Sequence, residues 1–306
     1  MRDGRPLLLA SGVTALAPAI WGSTYLVTAE FLPPDRPLLA TTVRALPASL
    51  ILLLFSRVLP RGVWIWRSLV LGMLNIGAFN LLLFVAAYRL PGGVAAMTMT
   101  VQPMIVLILA ALIIGDPIRA VHVVACALGA AGVALLVLNG SSALDPVGVA
   151  AALGGAACMA TGITFTKRWG RPEGAGLLAF TGWQLTAGGL VSLPFTLSVE
   201  GLPDSLTATN LFGFAYLISL GAVISYAIWF RGIEKLPALA VSFLALVSPV
   251  VASVLGIAFA GEEFSALQLT GVLVILLSVV LAQLRPTAPH TEIETRSMAE
   301  IWGAKK

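Results

Sequence analysis

The side chains in this sequence that could do chemistry are suited to recognition more than to breaking bonds. Two stand beside prolines in matching stretches, Gln102 before Pro103 and Ser248 before Pro249. Their surroundings repeat as well. Leu90 and Pro91, Gln102 and Pro103, then Gly115 and Asp116 are followed 146 residues later by Leu236 and Pro237, Ser248 and Pro249, then Gly261 and Glu262. Proline has no amide donor, so Pro103 should free the carbonyl of Met99 and kink its helix, and Pro249 should do the same at Ala245. Polar groups set so deep in apolar runs face a bundle interior or a wet cavity. Their alternative use is hydrogen bonding between helices, worth ~0.6 to 2 kcal/mol per contact.

Further candidates are mixed polar and aromatic sets. Asn75 and Asn80 stand with Phe79 and Phe84, and Tyr226 and Trp229 stand with Phe230. Such rings suit an apolar or cationic substrate group through stacking or cation–π contact. Trp229 and Phe230 near one membrane face, and Trp21 and Tyr25 near the other, also fit an interfacial aromatic belt. Thr161 and Phe165 answer to Trp21 and Tyr25 at an offset of 140. Arg44 is the basic residue lying clearly inside an apolar run, about 10 Å deep by the helical rise. Charge recognition and a structural role, satisfying carbonyls while reaching outward, are both open to it.

What is missing excludes several classes. The histidines are His122 and His290 and the cysteines Cys126 and Cys158, too few and too scattered for a metal centre or a disulfide framework. Neither G-x-x-x-x-G-K-[ST] nor H-E-x-x-H occurs. We expect no enzyme, no cofactor and no metal, although an intramembrane enzyme or a scaffold subunit remains the rival class. The net charge of +4 is spread through short loops, which gives no nucleic-acid patch.

The elements that carry these residues are read from composition. The chain is 58% hydrophobic and 10% charged, with a mean hydropathy of +0.98. Ten apolar runs approach the ~20 residues that span a bilayer: 7–28, 37–59, 66–88, 92–115, 120–139, 147–166, 175–198, 209–230, 237–260 and 266–284. The expected fold is an all-α integral membrane protein with ten transmembrane helices. Placing both termini in the cytoplasm puts Arg57, Arg61, Arg67, Arg119, Lys167, Arg168, Arg171 and Arg231 inside and leaves Arg36 and Arg89 outside. Residues 1–140 and 141–284 then form two five-helix repeats. Because five is odd, the second repeat is inverted relative to the first. Residues 285–306 read as a disordered cytoplasmic tail.

Trp21 and Gly22 in the first run, Arg44 early in the second, Gln102 and Pro103 centring the fourth, Gly115 and Asp116 closing it, and Gly261 and Glu262 closing the ninth resemble an EamA-type member of the drug/metabolite transporter superfamily. Asp116 departs mildly from the glutamate common there. The resemblance implies a multi-pass inner-membrane exporter of amino acids or related amphipathic metabolites, aromatic or cationic compounds among them. It implies alternating access through a cavity lined by the first, third, fourth, sixth, eighth and ninth helices. The partners implied are a small-molecule substrate and the lipid bilayer, with the chain a monomer or homodimer. No carboxylate lies deep in a run, so gradient-driven movement is expected over proton antiport, with Glu30, Asp116 and His122 as the groups that would reverse that choice.

Overall fold

The computed structural model describes residues 5–90, 95, 98–137, 145–260 and 266–283. Pro91, Gly261, Glu262 and the tail lie outside this set. The described residues form helices and no strand: α1 (Arg5–Gly22), α2 (Thr24–Phe31), α3 (Pro37–Ser56), α4 (Val63–Gly72), α5 (Ala78–Arg89), α6 (Gln102–Leu109), α7 (Ala120–Val137), α8 (Pro146–Trp169), α9 (Leu177–Phe195), α10 (Ala208–Ile218), α11 (Ser225–Lys235), α12 (Ala238–Leu244), α13 (Val247–Ala260) and α14 (Ala266–Gln283). Turns of wider π-helix continue several of them: Met73–Gly77 joins α4 to α5, Ala110–Ile114 ends α6, Thr196–Glu200 ends α9 and Ser219–Ile224 joins α10 to α11.

Among the described residues, six stretches are long and apolar enough to cross a membrane: Leu7–Phe31, Pro37–Ser56, Val63–Arg89, Pro146–Trp169, Ala208–Lys235 and Ala238–Gly256. Met99–Ile114, Ala120–Gly132 and Leu269–Ala282 are shorter apolar helices. Solvation is inside out, as a lipid environment demands. Leu54, Phe55, Leu112 and Phe259 are exposed, whereas Asn75, Asn80, Gln184 and Ser225 are buried.

Small residues bring the helices close. α9 packs along α3 and the α4–α5 stretch, α14 along α7, α5 against α8, and α1 against both α11 and α13. A methyl added at Gly72 would stand 2.5 Å from the Gln184 carbonyl oxygen, and one at Gly22 would stand 2.6 Å from that of Ser248. Both crossings therefore require glycine.

Polar ties fix the ends. The Glu200 carboxylate accepts from the amides of Leu38 (2.7 Å) and Leu39 (2.8 Å), closing the exposed start of α3. Asp145 caps α8 through the Val147 amide and pairs with Arg89 at 3.0 Å. The Arg89 hydrogen bond and that amide hold the Asp145 carboxyl below its ordinary pKa.

Two local expectations are corrected. The first helix does not stop at Thr28 but runs to Phe31, interrupted at Ser23, whose hydroxyl donates back to the Ile20 carbonyl at 2.6 Å. Nor are the carbonyls beneath the two prolines free. Met99–Val101 winds as a 3-10 turn and the Gln102 amide donates to Met99; the Ser248 amide donates to Ala245 at 3.0 Å. Proline deletes the donor four residues on, and tightening by one residue recruits the donor three residues on.

Candidate functional site

Both proline breaks open onto one cavity. It is lined by Pro18, Trp21 and Tyr25 from α1 and α2, Arg44 from α3, Phe79 and Leu83 from α5, Met159 from α8 and Trp229 from α11. Met99, Thr100, Gln102 and Pro103 come from one break, and Ala245, Leu246, Ser248 and Pro249 from the other. The space open to the centre of a water molecule is about 60 Å³, several times the ~10 to 15 Å³ that one water needs. The lining is itself repeated. Leu83, Met99, Thr100, Gln102 and Pro103 each have a lining counterpart 146 residues on, namely Trp229, Ala245, Leu246, Ser248 and Pro249.

Helical spacing explains why these side chains converge. Pro18, Trp21 and Tyr25 stand three and four residues apart, so they share a face. Phe79 and Leu83 share a face in the same way. Trp21 is fixed by its indole N–H, which donates to the Gly221 carbonyl at 3.0 Å. Its ring lies 5.1 Å from those of both Tyr226 and Trp229. The result is a wall of aromatic edges and faces that would hold a flat apolar group.

Arg44 does not reach outward to the membrane surface. It is 1% exposed, with its guanidinium carbon 5.5 Å from the Tyr226 ring centroid. Its Nη2 donates to the Gly221 carbonyl at 2.8 Å, inside the π turn. Its Nε and Nη1 have no partner, and neither do Gln102 Nε2 and Trp229 Nε1. Every buried, unpartnered polar atom of the lining side chains is thus an N–H donor.

Other candidates stand outside the lining. Asn75 is locked between helices, donating to Gln184 Oε1 at 2.8 Å and Thr166 Oγ1 at 3.1 Å. Asn80 accepts from the Tyr226 hydroxyl at 3.1 Å, one layer behind Trp21. Thr161 donates back to the Ala157 carbonyl at 2.8 Å, and Phe165 stacks on Trp169 with centroids 5.0 Å apart. These positions follow from partners distant in the chain. Conversely, residue type gave no hint of Pro18, Leu83 and Met159, although Pro18 and Leu83 each lie one turn from a candidate ring. A second, smaller cavity of about 30 Å³ collects Asp116, Pro117, His122 and Leu236 with Leu7 and Leu8.

The sequence profile of the EamA-like transporter family matches residues 8–138 and 146–284. The chain belongs to that family. Among its relatives is Protein PecM of Dickeya dadantii (strain 3937), 46% identical over 267 residues, 87% of this chain and 90% of that protein. The uncharacterized inner membrane transporter YedA of Escherichia coli (strain K12) is 30% identical over 286 residues, covering 92% of each. A solved crystal structure shares the fold with a TM-score of 0.76 at 17% identity, over 90% of this chain and 96% of its own. Membership in a family of membrane transporters makes the cavity, and not a catalytic centre, the feature to explain.

Proposed function

We propose that this EamA-family protein is a secondary transporter that exports amino acids or related small amphipathic metabolites across the inner membrane by alternating access. The observation that carries the reading is the doubled lining, five positions in one half matched 146 residues later in the other. Two proline-broken helices facing one cavity are the arrangement by which repeat-built transporters bind substrate near the membrane midplane. The same offset relates the π turns beginning at Met73 and Ser219, and it relates Asn80 to its hydrogen-bond partner Tyr226. Partners at one offset that touch each other support a pseudo-two-fold axis between the halves. We therefore read ten spans as two inverted five-helix repeats, 1–140 and 141–284, with both termini cytoplasmic. The inner-membrane location is supported by the likeness to YedA.

Trp21, Tyr25, Phe79, Gln102, Trp229 and Ser248 form the substrate-contacting set in this reading, with Pro103 and Pro249 as the flexing points. Asn75, Asn80, Thr161, Phe165 and Tyr226 act behind them, holding the helices in register. Transport runs down the substrate's own gradient. The test is uptake by liposomes containing the purified chain, against empty liposomes, over a panel of amino acids, nucleosides and aromatic cations. Saturable uptake that falls on substituting Gln102 or Trp229 is expected; absence of uptake across the panel contradicts the proposal.

Proton antiport is the second reading, favoured by the smaller cavity that brings Asp116 and His122 together. An imposed pH gradient with the membrane potential clamped separates the two. Flux that requires the gradient and moves protons selects antiport.

A further inference from the structure

We propose that the cavity recognises a carboxylate on a small aromatic or otherwise flat apolar molecule, and that Arg44 is the residue that binds it. This rests on the reading of the cavity as the transport site. Arg44 is 1% exposed and lines the space between the two proline breaks. One bond, from Nη2 to the Gly221 carbonyl, engages it, while Nε and Nη1 are unpartnered. The ion pairs among the described residues are Arg89–Asp145 and Arg171–Glu234, so Arg44 has no carboxylate partner among those residues. Its guanidinium does not give up its proton in a protein, and a buried charge without a counter-charge is costly. A substrate anion supplies that counter-charge.

The rest of the lining points the same way. Gln102 Nε2 and Trp229 Nε1 are also unpartnered donors. A carboxylate is an acceptor only, with two oxygens that a guanidinium can grip in parallel. No Asp or Glu is among the described lining residues, so an ammonium group on a molecule without a carboxylate of its own would meet a fixed positive charge with no compensating one. The rings of Trp21, Tyr25, Phe79 and Trp229 take the apolar part.

A comparison within the chain separates this role from a structural one. Gln184, 140 residues after Arg44, accepts from Asn75 in the earlier π turn, and Gly221 stands 146 residues after Asn75 in the later one. A neutral amide therefore suffices to bridge a helix to a π turn. The guanidinium at position 44 bridges to the later π turn, and since Gln184 leaves its own Nε2 unpartnered as well, what sets position 44 apart is a charge that bridging does not require.

The test uses the full chain in liposomes and four probes of one shape: 3-phenylpropionate, L-phenylalanine, 3-phenylpropanamide and phenethylamine. Wild type should carry the two carboxylates at least about tenfold faster than the amine, the factor typical of losing a hydrogen bond to a charged group. Arg44→Gln should lose that preference, carrying acid, neutral amide and amine at comparable rates, and Arg44→Lys should restore part of it. If Arg44→Gln does not fold, wild type alone decides: 3-phenylpropionate should raise its unfolding temperature and phenethylamine should not. Equal handling of acid and amine by wild type, or an intact preference in folded Arg44→Gln, overturns the carboxylate assignment and leaves transport standing. No movement of any probe or of the wider panel, with no stabilisation by the acid, overturns the transport reading as well.

Discussion

Gln102 and Asn75 are both buried amides in apolar helices, yet their surroundings predict opposite mutant behaviour. Asn75 joins two other helices through Gln184 and Thr166. Asn75→Ala should therefore lower stability by ~1 to 3 kcal/mol, read as the unfolding midpoint in detergent. Gln102 turns an unpartnered Nε2 toward the cavity. Gln102→Ala should leave that midpoint near wild type and reduce apparent substrate affinity several-fold in a flux assay. Gly162→Ala offers a sharper check, because the added methyl would fall onto the Asn75 side chain. The overpacking should cost ~1 to 3 kcal/mol. Residue type made Trp21, Tyr25, Gln102, Trp229 and Ser248 visible as candidates before any fold was known. It could not separate Asn75 and Asn80 from them, because what occupies an amide is written elsewhere in the chain: Gln184 is 109 residues from Asn75, and Tyr226 is 146 from Asn80.

In the transport cycle proposed above, the broken helices are the places where a rigid bundle would open and close around its cavity. Pro103 and Pro249 interrupt regular winding, and the 3-10 closures at Met99 and Ala245 satisfy the backbone without restoring a straight helix. Alanine at either position returns the missing amide and permits continuous winding. Pro103→Ala and Pro249→Ala should hold thermal stability level or raise it, while slowing transport several-fold; unchanged flux in both would remove the breaks from the mechanism. The prolines marked the breaks in the sequence, but not how the carbonyls would be satisfied, because that depends on how tightly the preceding turn winds. Glu200 was illegible for a similar reason. It reads as an ordinary loop acid, yet its carboxylate caps α3 from 162 residues away from Leu38. Glu200→Gln should cost about 1 kcal/mol in the same unfolding assay.

Composition alone marked the molecule as a membrane protein, and hydropathy located its helices, because lipid accepts only chains whose backbone is satisfied internally. Helix-to-helix contacts were not readable, since glycine crossings such as Gly72 against the Gln184 carbonyl depend on which helices become neighbours. What unites the molecule in this account is one cavity, reached in turn from either side of the membrane. Ser248 lines it beside Pro249, and the native cysteines, Cys126 and Cys158, are buried and half-buried elsewhere. The most direct measurement replaces both cysteines with serine, introduces Ser248→Cys, and labels right-side-out and inverted vesicles with a membrane-impermeant thiol reagent. Labelling from both sides, with flux lost in proportion, is the predicted result. Labelling from one side only, or complete labelling that leaves flux intact, would contradict the account.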